Sequence, residues 1–152
     1  MTIEMKVIDN SREAAALIDK LEAEVRGAEL VKAVRKAGNL VKRNTIPRIT
    51  PPGYPGDKKG KAPLRESIIV AVREYQNATV AFVGGAWPQG AHMHLYEFGH
   101  IQTRADGTSF HVPPNPALRP AIEETLSQQR EIMTEHLRRA VTRVKVGANL
   151  HE

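Results

Sequence analysis

The stretch Ala91-His92-Met93-His94-Leu95-Tyr96-Glu97-Phe98-Gly99-His100 places three imidazoles and a carboxylate within ten residues. Those side chains bind zinc, nickel or copper, and they move protons in general acid–base catalysis. The spacing argues against both uses. In an extended chain His92 and His94 share one side, with Glu97 opposite and His100 beyond the bend that Gly99 invites. In a helix His92 and His94 diverge, and only Glu97 and His100, at i and i+3, share a face. Neither conformation gathers four ligands, the order is not His-Glu-x-x-His, and the chain has no cysteine. No metal and no cofactor are therefore expected.

Catalysis by Glu97 with His94 or His111 lacks a nucleophile in a recognisable turn and an acidic cluster able to hold magnesium. Gly84-Gly85 runs into Ala86-Trp87-Pro88 instead of a lysine-bearing helix start, so no phosphate-cradling loop is present. The expectation is a protein that is not an enzyme.

Charge points to a different segment. The chain carries a net +5 over 152 residues. Residues 41–61 hold six cations (Lys42, Arg43, Arg48, Lys58, Lys59, Lys61) against Asp57 alone, which equals the whole excess. With Tyr54 among them, the cations could contact nucleic-acid phosphates without reading bases. A small basic nucleic-acid-binding protein is accordingly the alternative function. A second basic cluster, Arg138, Arg139, Arg143 and Lys145, lies near the C-terminus.

The elements that must position these residues follow from periodicity and punctuation. A length of 152 residues predicts one domain with a single core. The opening MTIEMKVIDN alternates at Ile3, Met5 and Val7 and reads as a strand. It lacks the basic-then-apolar order of a signal peptide, and no apolar run is long enough to span a membrane. Asn10 or Ser11 offers an N-cap. A helical period then runs to Thr45 or Ile46, divided at Gly27 and ended by Pro47. Residues 47–63, with five prolines and three glycines, predict a long flexible basic loop of the kind that is functional or ordered by a partner.

Ile68–Glu74 and Ala78–Val83 predict a β-hairpin about Tyr75-Gln76-Asn77. Residues 99–116 read as loop, with Phe110-His111-Val112 a short extended piece. Pro120 suits the first turn of a final helix, whose apolar face would be Ile122, Leu126, Met133, Leu137, Ala140 and Val144. Gly147 is its expected stop, leaving 147–152 as a disordered tail. The class is α+β: a small antiparallel sheet with a hairpin, packed against a long N-terminal and a long C-terminal helix.

Local chemistry also suggests what the histidine-rich stretch does. Glu97-Phe98-Gly99 would bury an aromatic while Gly99 makes a turn of positive φ. Arg119 near a helix start opposes the helix dipole, so an acidic partner is expected for it, and Glu97 is the candidate, within one subunit or between two.

Three stretches, in order, resemble the neck or tail-completion proteins of long-tailed bacteriophages. They are Pro63-Leu64-Arg65-Glu66-Ser67-Ile68 after a basic helix and proline-bearing loop, His94-Leu95-Tyr96-Glu97-Phe98-Gly99, and Pro114-Asn115-Pro116-Ala117-Leu118-Arg119-Pro120-Ala121. The departures from the family pattern are Lys61-Ala62-Pro63 for threonine-glycine-arginine, Ala117 for an aromatic, and His100 for threonine. The resemblance covers roughly residues 10–145 and implies a structural virion protein, made in the host bacterial cytoplasm and acting at the head–tail junction. It implies a homo-oligomeric ring, a hexamer by preference, joined to other neck, connector and tail proteins, with nonspecific DNA phosphate contact and no membrane. The residues marked for assembly are Glu97, Phe98, Gly99, Arg119, Arg48, Tyr54, Lys58, Lys59 and Lys61.

Overall fold

In the computed structural model the described residues are 11–50 and 63–149. The strand expected in residues 1–10, and Tyr54, Lys58, Lys59 and Lys61, lie outside them. The architecture is α+β. Helix α1 (Ser11–Arg26) and helix α2 (Ala28–Thr45) are followed by a 3-10 turn, Ile46–Arg48. A one-turn helix α3 (Leu64–Ser67) leads into strands β1 (Ile68–Tyr75) and β2 (Ala78–Gly85). A second 3-10 turn (Gln89–His92) opens helix α4 (Met93–Phe98), strands β3 (His100–Thr103) and β4 (Ser109–Val112) form another hairpin, and helix α5 (Leu118–Asn149) closes the order.

Gly27 divides the first helical run as its spacing suggests: it takes an extended backbone, φ −72° and ψ −170°, between α1 and α2. Pro47 ends the α-helix at Thr45, whose buried hydroxyl donates back to the Val41 carbonyl at 2.9 Å. The expected loop begins later than residue 47, because Ile46–Arg48 is helical and Ile49 is fully buried.

The first hairpin pairs Ile68 with Gly85 through Tyr75 with Ala78. Its inner residues, Ile68, Val70 and Val72, turn towards α2 by the two-residue period. Gly38 makes this contact possible. A Cβ there would stand 2.7 Å from Val70 Cγ1 and 3.1 Å from Ala81 Cβ, so a side chain would push the hairpin off the helix.

The central cluster is Ile49, Leu64, Ile68, Met93, Tyr96 and Ala117, flanked by Ile46, Val83 and Leu118. It gathers the end of the first helical run, the entry to the hairpin, α4 and the start of α5. Full burial of Ile49, Leu64 and Ile68 contributes about 1.5–3 kcal/mol each.

Three expectations are corrected. Helix α5 buries Ala121, Thr125, His136 and Ala140, while Ile122, Leu126 and Leu137 are 41%, 43% and 45% exposed. The inward face is thus rotated about one residue from Ile122, Leu126 and Leu137, because small side chains let α2 approach closely, while Ala140 is buried as expected. The helix also continues through Gly147 to Asn149. Residues 99–116, read as loop, contain the β3–β4 hairpin, with His100 opposite Val112 and Thr103 opposite Ser109. Its tip places Gly107 at φ +84°, and the Asp106 carboxylate accepts from the Thr108 amide and hydroxyl at 2.9 and 2.6 Å. Those two bonds hold the Asp106 pKa below its ordinary value.

Candidate assembly site around residues 92 to 119

The stretch that looked like a turn is a short helix. Met93, Tyr96 and Glu97 face inward on α4, while His92, His94 and Phe98 face outward. Phe98 is 66% exposed, which corrects the expectation of a buried aromatic. His100 is half-buried on β3, and its Nδ1 is enclosed without a partner among the described residues. No group of three or more potential metal-binding side chains occurs among the described residues.

Tyr96 and Glu97 are neighbours in sequence, yet each anchors a different segment. The Tyr96 hydroxyl accepts from the Thr50 amide and from Asn115 Nδ2, both at 2.7 Å. The carbonyls of Arg48 and Thr50, each 3.2 Å away, are the acceptors open to its proton. The Tyr96 carbonyl in turn receives the Asn115 amide at 2.9 Å. One side chain therefore ties the end of the first helical run to the approach of α5.

Glu97 completes that approach. Its Oε2 accepts the amides of Ala117 and Leu118 at 2.8 and 3.0 Å, and its Oε1 accepts the Arg119 amide at 2.9 Å. The first amides of a helix have no partner within the helix, and the positive end of the helix dipole favours an anion there. A capping residue normally sits directly before the helix; here a carboxylate about twenty residues earlier does the work. Glu97 is 8% exposed, and such charge-assisted bonds are shorter and stronger than neutral ones.

The expected pairing of Glu97 with Arg119 is therefore real in position but different in chemistry. The carboxylate binds the backbone amide, and the Arg119 side chain is exposed, with no ion pair among the described residues. The unfavourable cation at the helix start is answered by the capping anion.

Gly99 takes φ +72°, as expected, and a Cβ there would meet Val112 O at 2.6 Å and Pro114 N at 2.8 Å. Position 99 thus requires glycine twice over, for its conformation and for the close passage of the chain leaving β4.

Arg48 lies on the 3-10 turn. Its Nη2 pairs with Glu124 on α5, and its Nε is buried without a partner among the described residues. Arg65 holds the same turn from the other side, donating from Nε to the Ile49 carbonyl at 2.7 Å and from Nη2 to the Pro47 carbonyl at 3.2 Å. Arg65, Tyr96, Asn115 and Glu124 were not singled out as site residues. Arg65, Tyr96 and Asn115 fall inside the stretches that carry the resemblance, which is the available signal, and Glu124 does not.

Several large apolar side chains are exposed. Trp87, Phe98 and Ile101 are 83%, 66% and 73% exposed. A groove of about 560 Å³ runs between the end of β2, α4 and the first turns of α5, with Phe98, His94, Arg119 and Ile122 on its walls. The carboxylate and phenol are occupied in bonds within the fold, which leaves apolar contact and the exposed His94 and Arg119 side chains as the chemistry the groove presents. No family model, no curated protein and no solved structure matches the chain.

Proposed function

We propose that this chain is a non-catalytic structural subunit of a tailed bacteriophage or prophage, acting at the head–tail junction. In this reading copies form a closed ring, a hexamer by the family resemblance, and join neighbouring neck, connector and tail proteins in the virion. A ring uses two different surfaces of each subunit. The observation that carries the reading is an internally satisfied polar clasp beside a groove whose walls include the exposed Phe98 and Ile122. Large apolar side chains gathered at one surface are a feature of protein contact sites. The order of the three resembling motifs supports it, since two of them, residues 94–99 and 114–121, meet in the clasp.

The test is electron microscopy of particles made without this protein. Filled heads and separate tails are expected, and normal virions would overturn the proposal.

One observation favours a basic nucleic-acid-binding protein instead. A groove of about 650 Å³ between α2 and α5 is lined by six cations, including Lys36, Arg43 and Arg138, against three glutamates. Duplex binding by the isolated protein that weakens steeply with added salt would favour this alternative; weak or absent binding is expected.

A further inference from the structure

Helices α2 and α5 pack antiparallel. Arg48, just past the end of α2, pairs with Glu124 near the start of α5, and Arg143 reaches within 4.0 Å of Glu29 at the start of α2. The pair has two sides. One carries the first hairpin, and is lined by Val34, Gly38 and Val41 of α2 with Ile122, Gln129 and Met133 of α5. The other holds the groove of about 650 Å³, and no residue lines both.

The floor of that groove is apolar, with Ala33 and Leu40 from α2 and Ile132 and Ala140 from α5. Ala140 is buried and the other three are half-buried. The rims are cationic. Lys32, Lys36 and Arg43 stand on one, and Arg138, Arg139 and Arg143 on the other, all exposed. Three of the six are already held: Lys32 by Glu29 at 2.7 Å, Arg139 by Glu135 at 2.8 Å and Arg143 by Glu24 at 3.3 Å. Lys36, Arg43 and Arg138 have no ion pair among the described residues.

We propose that this groove is the docking site of an acidic amphipathic helix carried by a different protein. A phosphate backbone would use the cations but leave the apolar floor in water. An acidic amphipathic helix uses both, its apolar stripe covering the floor while its carboxylates meet the rims. The furrow between two packed helices is also the natural seat of a third. From Glu29 to Arg43 it follows α2 for about 21 Å, which matches a helix of about fourteen residues. Charge makes the donor a different protein. Helix α2 has five cations against one acid and α5 has six against four. Helix α1 has four acids against three cations, so no long helix of a second copy offers more than one surplus negative charge. The site does not depend on the head–tail role, since its residues lie outside the clasp.

The probe is a lactam-stapled peptide of about fourteen residues, with leucines on one stripe and glutamates on both flanks. Fluorescence anisotropy with the full-length protein is expected to show binding about tenfold tighter than for the same peptide with lysine flanks. The variant Lys36→Glu/Arg43→Glu/Arg138→Glu alters only exposed positions, and should reverse that preference. Leu40→Ser should weaken the glutamate peptide about fivefold. Equal binding of the two peptides, no binding, or a preference unchanged in the triple variant overturns the proposal. Binding that survives Leu40→Ser and fails only in the triple variant leaves charge as the sole attraction and overturns a seated helix. A DNA duplex that displaces the glutamate peptide, binds more tightly and weakens steeply with salt assigns the groove to phosphate and overturns it too. A native mass lowered by the triple variant makes the groove a contact between copies and overturns a separate partner.

Discussion

Two regions a few residues apart treat polar groups in opposite ways. At the clasp, Tyr96 and Glu97 are buried and every amide at the start of α5 that they can reach is bonded. Along the outer edge of β2, backbone groups have no partner among the described residues, and Phe82, with Ile122, Leu126 and Leu137 on α5, is exposed. The first region is finished within one chain; the second is open. Buried polar bonding and exposed apolar surface thus fall to different residues, although Ile122 lies only three positions beyond Arg119.

The largest effect that sharpens this contrast belongs to Glu97. Glu97→Ala leaves three amides at a helix start without their acceptor, and the loss expected is about 3 kcal/mol or more, read as a lower denaturant midpoint. Because the carboxylate binds amides, Glu97→Arg should be equally damaging, and Arg119→Glu should not rescue it. Rescue would restore a direct side-chain pair and erase the distinction.

Tyr96→Phe keeps the ring in the core but strips the bonds to Thr50 and Asn115. A loss of about 1–2 kcal/mol is expected. Hydrogen exchange at the Thr50 amide should quicken, and unchanged protection there would deny the phenol its anchoring role.

The open region should behave in the reverse sense. Phe98→Ser with Ile122→Ser alters half-exposed or exposed positions, so stability should move by only about 0.5–1 kcal/mol. Joining of heads to tails should nonetheless fall sharply in complementation. Wild-type joining by that variant would show that the exposed apolar surface is incidental.

Much of the architecture was legible where a residue acts locally. Pro47 and Gly27 mark helix boundaries through their own backbone demands, and Gly99 declares its positive φ. Features set by partners distant in sequence were not. The buried face of α5 is chosen by what α2 can approach, so Ala121 and Thr125 go inward while Ile122 and Leu126 do not. The Glu97 cap leaves no trace in the residues immediately before α5, because its carboxylate arrives from another helix. The second hairpin is hard to read for a different reason: Asp106-Gly107 is a turn signal, but the flanking strands are only four residues each, and the first, His100–Thr103, has a single apolar residue.

The way residues 47–50 are held has a mechanical meaning. The carbonyls of Pro47 and Ile49 are gripped by Arg65, the amide of Thr50 by Tyr96, and Leu64 is sunk in the core. The two ends of the basic segment between them thus form a closed stem with a fixed mouth. Tension applied to that segment would pass through Tyr96 and Asn115 to the foot of α5 rather than peeling the chain open. A pull on that segment would therefore load α5, the longest helix among the described residues.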